Sequence, residues 1–207
     1  AMPFNYPTRQ VIEQTLLVFA ALFPIVNPVG ASPVFLAMTR DLGSPERALL
    51  ARRVAINAFL LVLASILVGG YVIEFFGLSV PVIQVGGGLL VCSVAWDLLR
   101  TEETASEMHV TPQSDEQLAD RAFYPLTMPL TVGPGSIAVA ITLGAAAPRT
   151  GSGLAMGAVA AAIGATLLAL TIFLLFRHAE QLTRALGRTG TAVLLRLSAF
   201  ILLCIGV

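Results

Sequence analysis

Apolar runs at about 13–38, 54–76, 78–99, 122–146, 154–176 and 189–207 take up most of this 207-residue chain. A helix needs about 20 apolar residues to cross a bilayer, so the runs predict an all-α integral membrane protein with six transmembrane helices. Charge points the same way. Charged residues make up 12% of the chain and hydrophobic ones 57%, against about 25% and about half in soluble domains. Six crossings with short loops leave little chain for a soluble domain, so residues 1–207 read as one transmembrane domain.

The formal net charge is +0, which gives no electrostatic basis for nucleic-acid binding. The implied surroundings are a lipid bilayer and a small-molecule substrate, with a homo-oligomer left open. Cys92 and Cys204 lie in apolar helices without metal-ligand spacing, so neither a disulfide framework nor a metal site is expected. His109 and His178 fall in loops, and the sequence carries no zinc-protease, hydrolase-elbow or phosphate-loop motif. An enzyme is not expected, and no cofactor.

Arginine placement sets the expected orientation. Arg40, Arg47, Arg52 and Arg53, then Arg100 and Arg121, then Arg177, Arg184 and Arg188 flank one set of ends, whereas Arg9 and Arg149 flank the other. The Arg-rich side should be cytoplasmic, which places both termini outside, on the periplasmic face of an inner membrane. The acidic stretch at about 101–121 reads as a solvated cytoplasmic linker. Small residues at Gly153, Gly157, Ala161, Ala165 and Ala169 form a packing seam, and Gly86, Gly87 and Gly88 offer a smooth backbone to a neighbour.

Two segments break helix rules inside apolar runs. The first is FPIVNPVGASPVFL, residues 23–36; the second is PLTMPLTVGPGSIAVA, residues 125–140. Each proline in a helix interior costs roughly 3 kcal/mol, so such clustering predicts real interruptions of helices 1 and 4. Unsatisfied backbone is prohibitive in hydrocarbon unless protein or a wet cavity covers it, so the breaks should face each other near the membrane centre. Two kinked helices that merely pack are the alternative.

The halves resemble each other weakly. A shift of 112 aligns Leu90 with Leu202, Cys92 with Cys204 and Gln84 with Arg196, and Pro24 falls over Pro129 at a slightly smaller shift. Repeat one covers about 9–100 and repeat two about 122–207. An odd number of helices per repeat makes the second copy inverted.

FPIVNPVG followed by Pro33, and PLTMPLTVGPGSIA, together resemble the paired signatures of the MarC family of bacterial multi-spanning inner-membrane proteins. The resemblance covers essentially the whole chain. One branch of that family transports small neutral amino acids, which implies the same solute class here. Matched to the signatures are Asn27, Pro28, Gly30 and Pro33, and Pro129, Thr131, Gly133, Pro134 and Gly135.

The chemistry expected at two breaks is that of helix ends. N-termini near Gly30–Ser32 and Gly135–Ile137 carry partial positive charge and suit a carboxylate; carbonyls near Ile25–Val26 and Leu130–Val132 suit an ammonium or Na⁺. Asn27, Pro28, Gly30, Ser32, Thr131, Gly133, Pro134, Gly135 and Ser136 are the candidate substrate-binding residues. Asn27 can cap a half-helix, contact substrate, or both; Thr131 and Ser136 can instead repair freed backbone. Gln84 and Arg196 are candidates for a gate or for support behind the site, although Arg196 can also snorkel to the interface. The readings carried forward are a glycine- or alanine-like amino acid transporter, an ion or small-solute channel, and a drug-efflux or structural membrane protein. Na⁺ or H⁺ coupling is left open.

Overall fold

The structure, a computed structural model, describes residues 6–100, 115–147 and 151–207. Among them secondary structure is helical throughout: α1 (Tyr6–Val26), α2 (Pro28–Met38), α3 (Ser44–Phe75), α4 (Val80–Arg100), α5 (Asp115–Arg121), a π-helical turn (Ala122–Thr127), α6 (Pro134–Ala146), α7 (Gly151–Arg177) and α8 (Ala179–Gly206). Four stretches are long and apolar enough to cross a membrane: Thr8–Val26, Ser44–Phe75, Gly153–Arg177 and Thr189–Gly206. Pro28–Met38, Val80–Ser93 and Pro134–Ala146 are shorter apolar helices.

Helix α3 is the central post. At 32 residues and a rise of about 1.5 Å per residue, it is longer than the hydrocarbon layer is thick. It packs against α6, α7 and the π-helical turn, while α4 pairs with α8 and α1 with α7. One buried cluster joins α1, α3, the π-helical turn and α7 through Leu22, Val54, Val62, Leu126, Val132, Leu168 and Phe176, and a second joins α4 to α8 through Val91, Ala95 and Leu202. Stacking of Phe35 on Phe176, with ring centroids 4.4 Å apart, fixes α2 against α7.

Small residues set the close crossings. A Cβ on Gly69 would fall 2.6 Å from Ile141 Cγ1, and one on Gly144 would overlap the Ile66 carbonyl oxygen, so α3 and α6 touch backbone to backbone. In α7 the Ala161 and Ala165 of the expected seam are buried. Its tightest approach is at Gly164, which meets Val18 of α1; Gly157 has ordinary clearance. Of the three consecutive glycines, Gly87 meets Ala138 of α6 and Gly88 meets Gly206 of α8, while Gly86 faces open space. The expectation of a smooth backbone against a broken helix therefore applies to Gly87.

The linker differs from the sequence reading at its end. Residues 115–121 form α5, with Leu118 buried, because Leu118 has the π-helical turn and α3 to pack on. The rest of the acidic stretch, including His109, and Arg149 lie outside the described residues.

Candidate functional site

The first break is one residue wide. Asn27 has φ 46° and ψ 56°, the left-handed conformation, which Asn tolerates better than other side-chain-bearing residues. Its N–H donates to Phe23 O at 2.9 Å and so closes α1; its carbonyl accepts from Ala31 N–H at 2.9 Å and so opens α2. Its Oδ1 accepts the Gly30 N–H at 3.1 Å, the bond of a helix N-cap. Pro28 follows at the first helical position, where its missing N–H is no loss to α2 but leaves the Pro24 carbonyl without its usual donor.

The second break is longer. Pro129 has no N–H for the Pro125 carbonyl, and the next residue takes over: Leu130 N–H donates to Pro125 O at 3.2 Å, five residues back. Met128 N–H to Phe123 O and Val132 N–H to Thr127 O, both 2.8 Å, have the same span. The Thr127 hydroxyl donates to Ala122 O at 2.7 Å and the Thr131 hydroxyl to Leu126 O at 2.6 Å. Tyr124–Pro125 and Met128–Pro129 are cis. Regular helix resumes at Pro134 behind extended Gly133, which supplies no side-chain cap. The sequence reading placed the end of the first half-helix near Leu130–Val132; it ends at Thr127, because the two prolines shift the ladder from four-residue to five-residue spacing.

Val26 and Ala31 from the first break share the buried cluster with Leu126 and Val132 from the second. Around the breaks Pro28, Gly30, Ser32, Thr131, Gly135 and Ser136 are buried, Asn27 and Gly133 half-buried, and Pro134 exposed. Ser32 donates to Leu175 O at 3.1 Å and so faces α7. Thr131 is spent on the backbone.

A cavity of about 300 Å³ lies beside the breaks rather than between them. Residues of four helices line it: Ile25 from the end of α1, Gln84, Gly87 and Val91 from α4, Ala138 and Thr142 from α6, and Gly206 from α8. Gly135, at the first turn of α6, packs directly against Val91 at its floor. None of the nine candidate substrate residues lines the cavity; Gln84 does, exposed at its mouth. Arg196, its partner by the shift of 112, is exposed beside Val193, Leu197 and Phe200.

Sequence reasoning missed Thr142, which donates to Ala138 O at 3.0 Å and keeps a lone pair for a ligand. The available signal was a hydroxyl in the apolar half-helix after the second break. It also missed an ionic cluster at the Arg-rich end. Arg121 meets Asp41 with both amino groups, at 2.9 and 3.2 Å, and one of them also donates to the Met38 carbonyl. Arg47 donates to Thr39 O at 3.1 Å and Leu42 O at 2.9 Å, and pairs with Glu180 at 3.5 Å. Both arginine side chains are about 14% exposed or less. They stand at the C-terminus of α2, where a cation is favoured by the free carbonyls.

Known proteins with the same sequence pattern are membrane proteins. The description "MarC family integral membrane protein" matches residues 12–207. A UPF0056 membrane protein of Methanocaldococcus jannaschii is 32% identical over 197 residues, 95% of this chain and 93% of that one. The UPF0056 membrane protein YvbG of Bacillus subtilis is 32% identical, covering 92% of this chain and 89% of its own. The UPF0056 inner membrane protein MarC of Salmonella typhimurium is 30% identical, with 90% and 87% covered. No solved structure matches. The chain belongs to the MarC family of integral membrane proteins.

Proposed function

We propose that this protein carries a small neutral amino acid, of glycine or alanine size, across the inner membrane through the cavity beside its two broken helices. The observation that carries the reading is that cavity. It holds about 300 Å³, the lower end for small-molecule sites, and no acidic or basic side chain lines it. Its polar side chains are the Gln84 amide and the Thr142 hydroxyl, which suit a solute without net charge. The uncapped start of α6 at Pro134 lies behind the lining residue Val91, on which Gly135 packs, and its partial positive charge would favour a carboxylate in the cavity.

An inverted repeat fits the packing. If α1 and α2 correspond to the π-helical turn and α6, then α3 corresponds to α7 and α4 to α8. Three contacts then have counterparts: α3 on α6 with α7 on α2, α4 on α6 with α8 on α2, and α3 on the π-helical turn with α7 on α1. The pairs α3–α7 and α4–α8 map onto themselves. Six crossings, the Arg-rich end in the cytoplasm and both termini outside complete this reading.

Uptake of radiolabelled glycine and alanine into proteoliposomes tests it, with and without gradients of Na⁺ and H⁺. Saturable flux competed by unlabelled solute is expected, and the gradients identify any coupling ion. Non-saturating flux or unitary currents would mean a channel instead. No flux of either solute would remove the amino acid reading and leave efflux or a structural role.

A further inference from the structure

We propose that the Asp41–Arg121 and Arg47–Glu180 pairs are the closed gate at the Arg-rich end, with α2 as the moving arm. This rests on the transport reading above. Helix α2 is hinged at one end and tied at the other. The hinge is Asn27, the sole non-glycine residue with positive φ among those described. The tie is at Met38 to Leu42, where Arg121 holds the Met38 carbonyl and Asp41, and Arg47 holds the Thr39 and Leu42 carbonyls. Arg47 lies in the first turn of α3, Arg121 leads into the π-helical turn, and Glu180 lies in the first turn of α8. The pairs thus join the end of one broken helix to the start of the other and to both neighbouring helices. Glu180 is also held by Arg184, one turn along. Beneath the pairs Thr39 is fully buried, and so is Ser32 two turns deeper.

The cavity lies toward the opposite end, among the first half of α4, the last residues of α8 and the middle of α6. The Arg-rich end also has a void of about 300 Å³, lined by Arg53, Asn57, Asp120 and Phe123, but no residue of α2 lines it. The charge tie therefore lies at the end away from the proposed site, the arrangement a carrier needs to expose that site to one side at a time. Opening the tied end means swinging α2 about Asn27, which must break the pairs.

The test reads accessibility, not flux. Single cysteines replace Thr39 or Ser32 in a background of Cys92→Ala and Cys204→Ala, and a charged maleimide is applied at the Arg-rich face of membrane vesicles. Asp41→Ala should raise the labelling rate at both positions by about tenfold, since it removes the carboxylate that meets both amino groups of Arg121; Asp41→Glu, which keeps the charge, should not. Rising salt should raise both rates modestly in the chain that keeps Asp41, through the Arg47–Glu180 pair, whose Glu180 side chain is 43% exposed, whereas the more buried Asp41–Arg121 pair is screened much less; this arm needs no variant that must fold. A rise at Thr39 alone would mean a local helix cap and would overturn the gate, as would no rise at either. If labelling responds as expected while glycine and alanine do not cross, the gate stands and the solute class falls; if they cross while Ser32 stays silent, the reverse holds.

Discussion

The Asn27 side chain lies folded across Gly30: its Oδ1 accepts the Gly30 N–H at 3.1 Å, and a Cβ on Gly30 would sit 2.9 Å from its Cγ. The two residues therefore act as one unit. Asn27→Ala should destabilise by about 2 kcal/mol, about half from the lost cap and about half from alanine in the left-handed region. Asn27→Gly removes more of the side chain yet should cost only a few tenths, because glycine accepts that conformation. Gly30→Ala should cost about 1 kcal/mol alone, by displacing the cap, and nothing in the Asn27→Gly background. Reversible unfolding in mixed micelles measures the cycle; additive effects would mean the two residues are independent.

In the cavity, Gln84→Leu and Thr142→Val each remove one hydrogen-bonding group. A bond to a neutral ligand is worth about 1 kcal/mol, so half-saturation for a small amino acid should rise about fivefold. Arg196→Ala, on the exposed face, should leave uptake unchanged. Equal effects of Gln84→Leu and Arg196→Ala on uptake kinetics would place the site elsewhere.

The α3–α6 crossing makes a contrast between glycines. Gly144→Ala drives a methyl into the Ile66 carbonyl oxygen and should cost about 2 kcal/mol, as overpacking does. Gly86→Ala meets nothing within 4 Å and should gain about 0.5 to 1 kcal/mol from helix propensity. Unfolding midpoints of the two variants should move in opposite directions.

Arginine placement predicts the orientation. A cysteine at Arg40, exposed at the Arg-rich end, should react with an impermeant reagent only after cells are opened, and one at Ser79, exposed at the other end, in intact cells. The opposite pattern would invert the topology.

The apolar run lengths and the positions of both breaks were legible in the sequence, because each depends on local chemistry. Hydrocarbon thickness sets how long a crossing must be, and a proline without an N–H interrupts a helix wherever it stands. Asn27 could be read as a cap for the same reason: its partner Gly30 is three residues away. The void and the gate could not be read. Ile25, Gln84, Thr142 and Gly206 meet only because four helices pack at particular rotations, and Gln84 and Arg196, matched by the repeat, end up on faces with different surroundings. Asp41 and Arg121 are 80 residues apart and Arg47 and Glu180 are 133 apart. Charge placement showed which end these arginines belong to. Helix packing alone decided what they hold, since an ion pair needs atoms within about 4 Å and only the tertiary fold brings such distant residues that close.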